Sequence, residues 1–112
     1  MQVKEFKDIL AMTKLPVAYY AWPKDKVPPL PYLVYYFPDW DDLLADNINY
    51  VNIANVNVEL YCEDKDFETE YALEEILNSN NLFFNKTEQY LDSEEMYETL
   101  YQIRVLININ KQ

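Results

Sequence analysis

The sequence contains no glycine and no histidine, and each absence excludes a class of chemistry. Without glycine, the chain cannot form the Gly-rich loops that wrap phosphates in nucleotide-binding proteins. Without histidine, it lacks the usual general base of nucleophilic catalysis and the commonest zinc ligand. The single cysteine, Cys62, excludes an internal disulfide. We therefore predict that the protein is not an enzyme and uses no cofactor or metal.

Cations are also scarce, because nine lysines and arginines face 20 acidic residues and give a net charge of −11. Binding to a phosphate backbone needs clustered lysine and arginine, and Arg104 is the sole arginine. The charged residues Lys4, Glu5 and Lys7 interrupt the first apolar segment, so we expect no signal peptide. No apolar run approaches the roughly 18 residues that a membrane span requires. These features predict neither nucleic-acid binding nor membrane insertion.

Apolar residues, in contrast, make up half of the 112 residues, and eleven of them are tyrosines. This length and composition suit one domain, residues 1–112, with a single core. Tyrosine combines apolar area with a hydroxyl, so it fits half-buried sheet faces and protein interfaces.

The clearest local pattern is a strand at 50–62. From Ala54 to Cys62, apolar and polar residues alternate, which is typical of a strand with one face on a core. The alternation shifts before Ala54, and a β-bulge near Ile53 would explain the shift. We expect this strand to lie near the middle of a sheet, with Tyr61 on its outer face.

The other patterns predict an α+β domain in the order α-β-β-β-α-β-β, with a mainly antiparallel sheet and two helices on one face. The helices are predicted at 2–13 and 65–79, the second with Asp64 as its N-cap. The further strands are predicted at 17–22, 32–37, 82–90 and 97–107. Asn80 or Asn81 is expected to take the left-handed conformation that glycine usually supplies after a helix.

Two acidic segments with exposed aromatic residues are candidate interfaces. The first is a long connection at 39–49, because long ordered loops in small domains are often functional. Its carboxylates could also gather a hard cation, or they could form a solvated acidic loop. The second is the outer face of the second helix, although Phe67 could equally pack under the helix start. The candidate residues are Asp39, Trp40, Asp41, Asp42 and Asp46 in the connection, Phe67, Glu70, Tyr71 and Glu74 in the helix, and Tyr61 in the strand.

Several short stretches, taken in order, resemble a family of small virion proteins from long-tailed phages and prophages of low-GC Gram-positive bacteria. The stretches are Leu15-Pro16-Val17-Ala18-Tyr19, Pro28-Pro29-Leu30-Pro31-Tyr32, Tyr50 with Val58-Glu59-Leu60-Tyr61, Lys65-Asp66-Phe67, Lys86 with Glu88 and Tyr90, and Ser93-Glu94-Glu95-Met96-Tyr97. The chain is similar in this respect to tail-terminator or head–tail joining proteins, and the match spans nearly its whole length.

The resemblance implies an α+β fold without catalytic activity and a position at the head–tail junction of a virion assembled in the host cytoplasm. It implies a ring, commonly of six copies, that caps the tail tube and contacts the major tail protein and the head connector. DNA would pass through such a ring without specific binding, and an acidic lining would repel its phosphates. Two other roles stay open: a head-completion or minor capsid protein, and a small acidic DNA mimic or regulator.

Overall fold

The computed structural model describes residues 1–41 and 51–108, and it shows one five-stranded sheet with two helices on one face. The helices are α1 (Val3–Ala11) and α2 (Phe67–Ser79). The strands are β1 (Val17–Tyr19), β2 (Tyr32–Asp41), β3 (Val51–Cys62), β4 (Phe84–Leu91) and β5 (Met96–Asn108). The predicted α+β class and the order α-β-β-β-α-β-β are confirmed.

The spatial order of the strands is β1-β2-β3-β5-β4, and only the β1–β2 pair is parallel. β3 is the central strand, as its pattern predicts, and it pairs with β2 on one side and β5 on the other. Its alternation places Ala54, Val56, Val58 and Leu60 on the helix-covered side, where all four are fully buried. The helices complete this core through Phe6 and Leu10 of α1 and Leu73 and Leu77 of α2.

The bulge predicted near Ile53 is wrong. β3 pairs with β5 residue by residue from Val51 to Cys62, and the irregularity lies instead in β2, between Tyr36 and Asp39. Pro38 falls within that irregularity. Proline cannot donate to a ladder, so a bulge is one of the few places where a strand accepts it. β2 therefore continues past Pro38 to Asp41, although the sequence pattern predicts that it ends at Phe37.

The segment between β1 and β2 crosses the face of the sheet that the helices leave free, which we call the open face. β1 ends at Tyr19 and not at Trp22, because Tyr20 turns the backbone with a φ of 73°. The Tyr20 ring then packs on Tyr36 and the Trp22 ring on Tyr32, with centroids 5.1 and 5.9 Å apart. This cover explains why β2 is apolar on both sides at its start.

α2 begins two residues later than predicted, and its N-cap is Asp66 and not Asp64. The Asp66 carboxylate accepts hydrogen bonds from the backbone N–H and the hydroxyl of Thr69, at 3.1 and 2.7 Å. This is the usual bond that satisfies a free amide in the first helical turn. After the helix, Asn81 takes the predicted left-handed conformation, with a φ of 61°. Ala72 of α2 is exposed.

Candidate interaction surfaces

The acidic connection is shorter than predicted, because Asp39, Trp40 and Asp41 are the last residues of β2. Their side chains are engaged with the sheet. Asp39 accepts a hydrogen bond from Asn55 Nδ2 at 2.5 Å, and Asp41 forms an ion pair with Arg104 at 2.5 Å. The candidates Asp42 and Asp46 lie outside the described residues. The structure therefore links part of the predicted loop to β3 and β5, at one end of the sheet.

The Trp40 ring lies 5.2 Å from the ring of Phe37 and is partly exposed. Phe37 in turn contacts the Phe6 ring of α1, with centroids 6.4 Å apart. Trp40 thus extends the aromatic packing of the core to the surface at the end of β2. Such a half-exposed tryptophan supplies apolar contact area that a partner could cover.

The outer face of α2 contains the most exposed pair of aromatic rings among the predicted candidates. Phe67 and Tyr71 stand one helical turn apart and are 58% and 65% exposed. Lys65 Nζ lies 4.8 Å from the centroid of the Phe67 ring. Phe67 therefore does not tuck under the start of the helix, and the packing alternative for this residue is wrong.

Glu70 and Glu74 do not belong to the exposed acidic face, and this part of the prediction is wrong. Glu70 is only 2% exposed, and its carboxylate lies between Lys65, at 2.6 Å, and Lys86, at 2.9 Å. Burial alone would raise the pKa of Glu70, but the hydrogen bonds from the two lysines outweigh it, so its pKa is lowered. Because the helical period turns position 70 toward β4, Glu70 stabilises the packing of α2 and is not available to a partner.

Glu74 joins the same charge network one turn further along α2. It accepts a hydrogen bond from the buried Tyr101 hydroxyl at 2.8 Å and pairs with Lys86 at 2.7 Å. Lys65 also pairs with Glu88 of β4. We call this set of Lys65, Glu70, Glu74, Lys86, Glu88 and Tyr101 the α2–β4 charge network. The lysines in it compensate carboxylates that would otherwise be buried without a partner.

Tyr61 lies on the open face, as its position in the alternation predicts, but it is held by neighbouring carboxylates. Its hydroxyl donates to Glu59 Oε1 at 2.7 Å and lies 3.3 Å from Glu98 Oε2. Burial, together with the nearby Glu98 carboxylate, raises the pKa of Glu59 to about 6, although the hydrogen bond from the Tyr61 hydroxyl lowers it. Burial, followed by the carboxylates of Glu59 and Glu98, raises the pKa of Tyr61. Tyr61 therefore rigidifies the sheet and offers little free surface.

The sequence reasoning missed a row of carboxamides across the open face. Asn57, Gln102 and Asn85 are register partners on β3, β5 and β4, so they lie side by side. They line an open cavity of about 530 Å³ together with Arg104 and Phe83, which is 75% exposed. Only the strand order brings these residues together, although the period-two pattern alone shows that Asn57 and Gln102 point outward.

Metal-binding geometry is not evident in the described ranges 1–41 and 51–108. Within them, no three His, Cys, Asp or Glu side chains are grouped to hold a metal ion. Burial, followed by Asp66 and Glu70, raises the pKa of the Cys62 thiol to about 11, so it is protonated at neutral pH. Among the same residues, no helix has the length and apolar character needed to cross a membrane.

The sequence matches no protein-family model, and no curated protein is similar enough to count as a match. The fold is similar to that of a chain in the virion of a native gene transfer agent particle. The TM-score is 0.60, and the match covers 88% of this chain and 84% of that chain, with 16% sequence identity. At this identity the likeness establishes a shared fold. It supports neither a tail-terminator role nor an origin in Gram-positive phages.

Proposed function

We propose that this chain is a structural protein of a phage-type virion, and that it acts at the head–tail junction as a tail terminator. The observation that carries the virion part of the proposal is the fold similarity to a chain of the gene transfer agent virion, which extends over most of both chains. The narrower terminator role rests on the sequence resemblance to terminator and joining proteins. In this role the protein forms a ring, of about six copies by that resemblance, on the end of the tail tube.

The mechanism in this proposal is geometric and needs no chemical step. A closed ring covers the end of the tail tube, so that no further copies of the major tail protein can add. Its second surface then meets the head connector. The exposed Phe67 and Tyr71 rings supply apolar area for such contacts, because burying aromatic side chains dominates the energetics of most interfaces.

The charge of the chain fits a ring through which DNA passes. Asp39 and Asp41 lie at the end of β2, and Asp41 pairs with Arg104, the single arginine of the sequence. An acidic lining repels phosphates and keeps the duplex from adhering to the wall. We place this end of the sheet toward the lumen, while the α2 surface serves protein contacts.

The test is electron microscopy of particles made in the absence of this gene, with the gene supplied in trans as a control. A terminator predicts overlong or headless tails that return to normal length on complementation. Filled heads that lack tails and leak DNA would support head completion instead. Normal particles, together with capture of a host nuclease or repressor by the purified chain, would favour the acidic mimic and contradict a virion role.

A further inference from the structure

Besides the cavity along the carboxamide row, the open face holds a second cavity of about 330 Å³, a volume that suits a small ligand. It is lined by the segment that connects β1 and β2, by β2 and β3, and by the turn between β4 and β5. Aromatic rings form much of its wall. The Tyr32 ring contacts the rings of Trp22 and Tyr61, with centroids 5.9 and 5.4 Å away, and Tyr20 also lines the cavity.

Carboxylates supply the charge of this cavity. Glu59 and Glu94 line it, and the Tyr61 hydroxyl connects Glu59, at 2.7 Å, to the buried Glu98 of β5, at 3.3 Å. Within residues 1–41 and 51–108, no lysine or arginine forms an ion pair with any of these three carboxylates. The cavity therefore combines aromatic walls with negative charge that the cations of the described ranges do not compensate.

The carboxylates of the cavity differ in this respect from those of the α2–β4 charge network. There, the buried Glu70 contacts two lysines, and its pKa is lowered. Glu59 pairs with no cation in the part of the chain that the structure describes, and burial raises its pKa to about 6. A half-buried charge of this kind is costly to the fold at neutral pH, and a cation from outside the chain would offset that cost.

Trp22 gives a second, independent indication that the cavity takes an occupant. Its indole Nε1 is buried and has no hydrogen-bond partner among the residues that the structure describes. Buried polar groups nearly always have a partner, so we expect a group from outside this part of the chain beside Trp22. Tryptophan is also the side chain whose ring attracts cations most strongly.

We propose that this cavity binds the ammonium group of an organic cation. The rings of Trp22, Tyr32 and Tyr61 supply the cation–π attraction, and the Glu59 and Glu94 carboxylates neutralise the charge. A hard metal ion fits less well, because it needs several oxygen ligands and the described residues include no group of three carboxylates placed to hold one. Ammonium binding goes beyond the proposed virion role and does not depend on it.

The experiment is a titration of the purified full chain with choline at about pH 8, where Glu59 is charged, followed in nitrogen–proton correlation spectra. The chain has two tryptophans and hence two indole signals, which a Trp40→Phe variant assigns. Trp22 lines the cavity, whereas Trp40 stands near the far end of β2 and is an internal reference.

Two further probes identify what the cavity recognises. Dimethylbutanol, in which carbon replaces the quaternary nitrogen, is the neutral counterpart of choline and tests the need for charge. Butylammonium reproduces the end of a lysine side chain and tests a partner protein as the source of the ammonium group.

Two variants test the carboxylate. Glu59→Gln removes its charge and keeps the shape of the side chain. Glu95→Gln is the matched control, because Glu95 is exposed in the same turn as Glu94 but does not line the cavity.

We expect choline to shift the Trp22 signal in a saturable way and to leave the Trp40 signal unchanged. Dimethylbutanol should bind the wild type about tenfold more weakly than choline does, and choline should bind Glu59→Gln about tenfold more weakly than the wild type, because each change removes one charge of the pair. Tighter binding of butylammonium than of choline would assign the cavity to a lysine side chain of a partner protein, and the reverse would assign it to a free quaternary ammonium compound.

Equal binding of choline and dimethylbutanol would overturn the inference, since the cavity would then recognise apolar shape alone. The absence of a Trp22 shift with either cation up to about 0.1 M would overturn it as well. So would an equal loss in Glu59→Gln and Glu95→Gln, which would reduce the effect to the net charge of the surface. None of these results decides the virion role, which particle morphology tests separately.

Discussion

At the scale of the residue, Glu59 shows how a half-buried carboxylate can oppose folding. It lies on the open face of the sheet beside Tyr61 and Glu98, and its pKa is raised from 4.5 to about 6, first of all by burial. A raised pKa means that the folded chain holds the proton more tightly than the unfolded chain does. Proton binding by Glu59 therefore stabilises the folded chain. This stabilisation is complete below pH 4.5 and is lost as the pH rises through about 6, where the carboxylate becomes charged.

We expect Glu59→Gln to stabilise the protein at pH 8 and to have little effect at pH 4.5. The shift of the pKa corresponds to about 2 kcal/mol, and because solvent screens a half-buried group, about 1 kcal/mol is the expected gain at pH 8. Urea unfolding at both pH values measures it. Glu75→Gln, at an exposed position in the middle of α2, is the control and should change neither value. An equal effect of Glu59→Gln at the two pH values would contradict this account.

At the scale of the element, the α2–β4 charge network fixes the helix to the edge strand. Lys86 of β4 contacts Glu70 at 2.9 Å and Glu74 at 2.7 Å, so one lysine joins two turns of α2 to the sheet. Glu70 is almost fully buried, and its lowered pKa means that this contribution to stability is lost as the pH falls through that pKa.

We expect Lys86→Met to lower the free energy of unfolding by about 2–3 kcal/mol, because the buried Glu70 then keeps only Lys65 and Glu74 loses its lysine. The methionine keeps the apolar stem of the side chain, so the loss reports the charge. Lys4→Met is the matched control, since Lys4 forms an exposed pair with Asp8 and should contribute at most about 0.5 kcal/mol. Urea denaturation at neutral pH measures the free energy of unfolding of both variants. Equal decreases in Lys86→Met and Lys4→Met would show that the α2–β4 charge network contributes no more than an exposed ion pair.

At the scale of the whole molecule, the distribution of charge matters more than its sum. The net charge of −11 explains why the chain should not adhere to nucleic acid. Lys65 and Lys86 are paired with carboxylates of α2, and Arg104 is paired with Asp41, so these cations are already engaged within the fold. Asp39 and Asp41 lie at the end of β2, and we propose that this end of the sheet faces the DNA.

We expect Asp39→Lys with Asp41→Lys to leave the chain folded but to lower the infectious titre of the virion at least about tenfold, because cations at the lumen bind the passing duplex. Asp39→Asn with Asp41→Asn is the control, since it removes the same two charges without adding cations. Circular dichroism and the amount of protein in purified particles verify folding and assembly. A normal titre for the lysine variant in intact particles would show that these residues do not face DNA.

The sequence alone determined the class of the fold and the order of its elements. A strand pattern of period two and helical stripes depend on local spacing, so the central position of β3 and the left-handed Asn81 could be predicted without a structure. The missing glycine and histidine likewise restricted the available chemistry. The exposure of Phe67 was one of two alternatives, and the structure decided it.

Only the tertiary structure decided which acidic residues are free and which are engaged. The helical pattern predicts that Glu70 and Glu74 lie on a solvated face of α2. In the structure, Lys86 of β4 pairs with both carboxylates, and the pattern within α2 does not indicate this contact with another element. In the same way, the bulge at Pro38 and the carboxamide row depend on the pairing of neighbouring strands. Local spacing does not record these contacts, because they join strands that lie far apart in the sequence.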